Sequence, residues 1–78
     1  MWQELNNALY KKFVFADFRT AFNFMEEVAE LAEAMDHHPT WTNTYNVLEI
    51  WLCTHDAGSI ITEEDRQLAA QIDMISPA

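Results

Sequence analysis

The 78-residue chain has a single cysteine, a single glycine and two prolines, which removes several ways of holding a small chain together. Cys53 alone cannot form an internal disulfide, and with no second cysteine there is no Cys-based structural zinc site. Basic residues are also scarce. Four Lys and Arg against 13 Asp and Glu give a formal charge of −9, which repels phosphate backbones and anionic membranes and argues against direct nucleic-acid binding. Long apolar runs are missing as well: charges interrupt every one well before the roughly 18 residues of a membrane-spanning helix. The opening Met1-Trp2-Gln3-Glu4 lacks the basic and apolar regions of a signal peptide. A soluble, cytoplasmic single domain over residues 1–78 is the expectation. Such a domain buries only about 60% of its unfolded surface, so without disulfide or metal it is expected to form a homo-oligomer.

What is present divides into elements by hydrophobic period. Leu9, Lys11, Phe13 and Phe15 alternate with Tyr10, Lys12 and Val14, the period of a strand with one buried face, along which Lys11 would lay its stem. Trp2 to Leu5 precedes it across Asn6-Asn7, and paired asparagines tolerate the positive φ of a tight hairpin. At Asp17, a good N-cap, the period becomes helical: Phe18, Ala21, Phe22, Met25, Val28, Ala29, Ala32 and Met35 form one stripe. Phe24 and Leu31 fall off it, and read either as a surface for another subunit or as part of a wide core face. Pro39 ends that helix region. A second hairpin follows, Trp41 to Tyr45 and then Leu48, Ile50 and Leu52 facing the core, with Trp51 and Cys53 opposite and His55 at the exit. Thr62-Glu63-Glu64-Asp65 reads as a capping box for a last helix, whose face is Leu68, Ala69, Ile72 and Ile75 and whose stop is Pro77. The order β-β-α-β-β-α implies an α+β fold, a four-stranded antiparallel sheet with both helices packed on one face.

All three histidines flank one central segment, in Asp36-His37-His38-Pro39-Thr40-Trp41 and in Thr54-His55-Asp56. Histidine exchanges protons near neutrality, so their convergence suggests proton-transfer chemistry or metal binding. Glu33 lies one helical turn before His37, and with His38 and His55 these could ligate zinc, although adjacent histidines rarely aim both rings at one ion and no HExxH pattern supports it. Alternatively the histidines act as general acid and base on a bound heterocycle, with Glu33 or Asp36 orienting an imidazole and Trp41 as an apolar wall. The plainest alternative is that His37 and His38 cap a helix end, where the dipole favours a positive charge, while His55 closes a strand. On the residues alone that third reading is modestly favoured.

A resemblance changes the balance. Phe13-Val14-Phe15-Ala16-Asp17-Phe18, Ala21-Phe22, Val28-Ala29-Glu30-Leu31-Ala32-Glu33, His37-His38-Pro39, Tyr45-Asn46, Thr54-His55-Asp56-Ala57-Gly58 and Thr62-Glu63-Glu64-Asp65 resemble, in order, the pterin-4a-carbinolamine dehydratase family. The resemblance implies dehydration of a 4a-hydroxytetrahydropterin to the quinonoid dihydropterin, recycling a tetrahydrobiopterin-type cofactor, with the pterin as substrate and no metal or other cofactor. It implies His37, His38 and His55 as catalytic residues, His37 and His55 moving protons and His38 holding substrate, and Glu33, Asp36, Pro39 and Trp41 as substrate-binding. It also implies a homodimer or homotetramer.

The chain departs from the family pattern in four places. Members of that family usually carry one more helix before the position of Trp2, where Met1 stands here, so a domain without that helix is expected. The Gly-Gly-Leu-Thr turn is replaced by Gly58-Ser59-Ile60-Ile61-Thr62, one residue longer and one glycine poorer. Glu64 stands where some members are basic, and Trp51 where a small polar residue is usual. Some animal relatives are dimerisation cofactors of a transcription factor, so a non-enzymatic regulatory module on the same fold is the alternative expectation, with Phe24 and Leu31 as its surface.

Overall fold

Asn6 and Asn7 set the first turn. Both adopt positive φ, 50° and 64°, which twists the connection to match a right-handed pair of strands. They join β1, Gln3–Leu5, to β2, Ala8–Val14, in a computed structural model that describes residues 1–77. Asp17 then caps α1, Phe18–Met35, by accepting the Thr20 backbone N–H at 2.8 Å. β3, Thr40–Thr44, turns back through Tyr45 and Asn46 into β4, Val47–Leu52. The Asn46 side chain donates to the Phe15 carbonyl at 2.9 Å, tying this turn to the end of β2. A 3₁₀ turn over His55–Ala57 leads to α2, Glu63–Ile75, which begins with the expected capping box of Thr62 and Asp65.

Among the described residues the strands form one antiparallel sheet in the order β1-β2-β4-β3. The register Leu9↔Leu52, Lys11↔Ile50 and Phe13↔Leu48 places the apolar alternation of β2 and β4 on one face. Against that face pack Ala21, Phe24 and Val28 of α1 and Leu68, Ala69 and Ile72 of α2. The α+β architecture with both helices on one face is therefore present. Lys11 lies on the core side as expected: its ammonium passes 5.0 Å from the Phe13 ring centre and pairs with Asp73 of α2 at 2.8 Å. The opposite face carries Tyr10 stacked obliquely on Trp51, and the Tyr10 hydroxyl donates to Glu49 at 2.6 Å.

Of the two readings of Phe24 and Leu31 the wide core face is the one present, and part of the first stripe is left outside it. Phe24 is only 4% exposed and meets Phe13 and Phe15 at ring-centre distances of 5.1 and 5.2 Å, so it belongs to the core. Leu31 also packs against that core. The unpartnered surface is instead Phe18 and Phe22, 43% and 38% exposed and stacked on each other. Both stripes are apolar and helically spaced, so periodicity could not tell which one the sheet and α2 would cover. The helix also stops before Pro39. Asp36 takes a left-handed conformation, φ 51°, and the N–H groups of Asp36 and His37 return to the carbonyls of Glu33 and Ala32. This is a Schellman closure with aspartate in the usual glycine position.

Candidate active site

The Schellman turn brings His37 back over the end of α1, where it is 8% exposed. Its Nε2 lies 2.6 Å from Oδ1 of Asp65, the third residue of α2, which is fully buried. The other carboxylate oxygen accepts the Thr62 backbone N–H and the Thr54 hydroxyl, each at 2.8 Å. The Thr62 hydroxyl, 2.6 Å from that of Thr54, completes the chain of donors. An ionised carboxylate can only accept, so Nε2 of His37 bears the hydrogen and Nδ1 is left as the nitrogen that can take or give a proton. Glu64 Oε2 lies 4.0 Å from that Nδ1.

Three segments thus converge on one cleft of about 190 Å³: the end of α1 with Asp36, His37 and His38, the exit of β4 with Cys53, Thr54 and His55, and Asp56 and Glu64 at the rim. His55 is exposed and begins the 3₁₀ turn rather than ending a strand, since β4 stops at Leu52. Its Nδ1 is 3.4 Å from the Ser59 hydroxyl. Ser59 follows Gly58 in left-handed backbone, with φ 59° and 89°. The Thr54↔Ile60 bridge closes this longer turn. Cys53 lies just beyond β4 and lines the cleft.

His38 is exposed, and its Nε2 is 3.2 Å from Glu33 Oε2. It also borders a second, apolar groove of about 290 Å³ with Pro39, Trp41, Ala29 and Ala32. Trp41 pairs with Ile50 across the inner face of the sheet, which turns it toward α1 and into this groove rather than into the cleft of His37 and His55. The sequence-predicted residues are therefore gathered into two adjoining depressions that share His38.

Of the two carboxylates expected to orient an imidazole, Glu33 reaches His38, while the left-handed turn at Asp36 carries His37 off the helical spiral on which residues four apart are neighbours. The carboxylate that holds His37 is Asp65, which the sequence presented only as a capping residue. Its position at the third site of a capping box was the visible signal; its pairing with a histidine far away in sequence was not. Among the described residues no group of three or more His, Cys, Asp and Glu side chains is arranged to share a metal ion, and no helix is long and apolar enough to cross a membrane.

The sheet and helix order agrees with comparisons to known proteins. The family model described as pterin 4 alpha carbinolamine dehydratase matches residues 1–75. A provisionally named pterin-4-alpha-carbinolamine dehydratase of Solibacter usitatus (strain Ellin6076) is 52% identical over 75 residues, covering 96% of this chain and 78% of that protein. A crystal structure described as a transcriptional coactivator/pterin dehydratase from Brucella melitensis superposes with a TM-score of 0.90 at 41% identity, over 95% of this chain and 80% of that one. A pterin dehydratase-like protein identified as a RuBisCO assembly factor in the alpha-carboxysome shares the fold, with a TM-score of 0.78 at 24% identity over 100% and 89% of the two chains. The chain belongs to the pterin-4a-carbinolamine dehydratase family.

Proposed function

We propose that the chain dehydrates a 4a-hydroxytetrahydropterin to the quinonoid dihydropterin by general acid–base catalysis. In this reaction the C4a–O bond breaks with its electron pair going to oxygen, which leaves as water after accepting a proton, while a ring nitrogen gives one up. Two proton transfers balance the step with no change in overall oxidation level, so the step requires no redox cofactor. The observation that carries it is the Asp65–His37 pair. A neutral imidazole with Nε2 occupied presents Nδ1 as a base, and the carboxylate behind it stabilises the cation formed when that base is protonated. His55, exposed in its turn and lining the same cleft, is assigned the acid role.

His38, held by Glu33, positions the ring between the cleft and the apolar groove, where Pro39 and Trp41 supply a hydrophobic wall. Asp36 adds an acceptor at the cleft rim. The reading places the protein in the cytoplasm as a homodimer or homotetramer. The exposed Phe18–Phe22 pair, an apolar surface on a small domain, supports association of copies.

The test is the dehydration rate of enzymatically generated 4a-hydroxytetrahydropterin with the wild type and His55→Ala. Acceleration that falls by about 10²-fold or more in the variant is expected; equal rates from the two proteins would refute the assignment of His55. That same Phe18–Phe22 surface favours one alternative, a non-enzymatic binding module. Under it, Phe22→Glu would abolish assembly while His55→Ala would leave assembly intact, and the wild type would not accelerate dehydration. Phe24→Glu cannot serve as the surface probe, because Phe24 lies in the core.

A further inference from the structure

Among the described residues that line the cleft there are carboxylates and imidazoles but no guanidinium or ammonium group. Asp36, Asp56 and Glu64 line it, and Asp65 lies behind His37. The four basic residues of the chain, Lys11, Lys12, Arg19 and Arg66, are all elsewhere; Lys11 is engaged with Asp73 and Arg66 with Glu4. Glu64 faces the reactive side of His37, with Oε2 4.0 Å from Nδ1 and the side chain more than half exposed. Its carboxylate therefore stands beside the open nitrogen of His37, with no Lys or Arg among the residues lining the cleft.

We infer that this cleft selects pterins by charge, accepting those whose C6 substituent is uncharged or hydroxylated and rejecting those that carry a carboxylate or phosphate, with Glu64 as the main discriminating residue. The inference rests on the pterin reading of the cleft and goes beyond it by naming the substrate class. Carboxylates only accept hydrogen bonds, which suits the amino and ring N–H donors of the pterin edge. A substituent with its own negative charge enters a site lined by like charges, and at low ionic strength that repulsion is little screened. Asp36 and Asp56 contribute to the same field. Glu64 is singled out because it occupies the first turn of α2 and is the lining carboxylate recorded beside Nδ1 of His37. The neighbouring Glu63 does not line the cleft, so it supplies a control of equal charge change.

Calorimetric titration of the full chain at low ionic strength and neutral pH, with 6-hydroxymethyl-7,8-dihydropterin and 6-carboxy-7,8-dihydropterin, tests this directly. The two ligands differ chiefly in one charge. The wild type is expected to bind the hydroxymethyl compound at least about tenfold more tightly, a gap that narrows as salt is added. Glu64→Gln should reduce the gap, and Glu64→Lys should close it to within about threefold. Glu63→Lys, which changes the net charge of the chain by the same amount, should leave it in place. Equal wild-type affinities for the two ligands, or a gap closed as much by Glu63→Lys as by Glu64→Lys, would overturn the charge selection while the pterin reading stands. Binding of neither ligand would overturn the pterin reading itself, and the selectivity with it. Glu64→Gln keeps the shape of the side chain, so the test survives if the lysine variant disturbs the start of α2.

Discussion

Asp65→Asn is the substitution that most directly tests how the site is held. In the wild type one carboxylate oxygen accepts from His37 Nε2, at 2.6 Å, and the other from the Thr62 N–H and the Thr54 hydroxyl. An asparagine has one accepting oxygen and one donating NH₂. The Thr62 backbone N–H cannot rotate or reverse its polarity, so the amide oxygen is held on that side and the NH₂ is turned toward His37. Two donors then face each other unless the imidazole moves its hydrogen to Nδ1, which leaves Nε2 as the acceptor and removes the lone pair assigned to catalysis. One charge-assisted hydrogen bond is exchanged for a neutral one, a loss of about 1–3 kcal/mol. The domain should still fold, given the roughly 5–15 kcal/mol available to small proteins. The dehydration rate, by contrast, should fall by about 10²–10⁴-fold with little change in pterin affinity, because the ring remains in place but in the wrong tautomer. Nitrogen-15 NMR of the His37 ring should show the hydrogen on Nε2 in the wild type and on Nδ1 in the variant. A folded Asp65→Asn protein with the wild-type turnover rate would refute the role of this pair.

Three further outcomes follow from single contacts. Phe24→Ala, which empties a site bounded by Phe13 and Phe15, should cost about 3–5 kcal/mol in denaturant unfolding; a loss below about 1 kcal/mol would return Phe24 to the surface. Ser59→Gly relieves a left-handed residue and should raise thermal stability by about 0.5–1 kcal/mol while removing the hydroxyl near His55, so a lower melting temperature would contradict the strain at φ 59°. The Thr20 backbone N–H bonded to Asp17 lowers that carboxyl below its ordinary value, so its stabilisation is complete above the ordinary carboxylate value and is lost as pH falls through the lower folded value. Asp17→Asn should therefore flatten the acid limb of the stability curve, and an unchanged limb would show that the cap does not titrate in this way.

The elements legible in the sequence are those set by neighbours in the chain. Asn6-Asn7 specifies its turn by backbone preference, Asp17 and Thr62 mark helix starts by satisfying free N–H groups, and Leu48, Ile50 and Leu52 declare a buried face by alternation alone. The segments holding the three histidines were visible for the same reason. What stayed hidden depends on packing between distant elements. Phe24 and Phe22 have similar local surroundings, and only the docking of α1 on the sheet and α2 decides which is covered. Trp41 could be assigned to a strand but not to a depression, since that follows from its register with Ile50 and the angle of α1 above it. Asp65 was legible in its first role and not in its second. Its capping bond spans one turn, whereas its bond to His37 requires the whole domain to close.

The double duty of Asp65 links the fold to its proposed chemistry. Removing a carboxylate from water costs several kcal/mol even after relaxation, a large share of what so small a core can supply. The cost is offset here only because the His37 imidazole, the Thr54 hydroxyl and the Thr62 N–H all donate to it, and those donors come together only when α2 is seated against the end of α1 and the exit of β4. An exposed carboxylate would cap α2 about as well, and an apolar residue would fill the cavity with less risk to stability. Neither substitute would hold an imidazole at one tautomer beside an open cleft. The physical reason to bury this charge is thus the histidine in front of it, and the site is assembled by the same contacts that complete the domain.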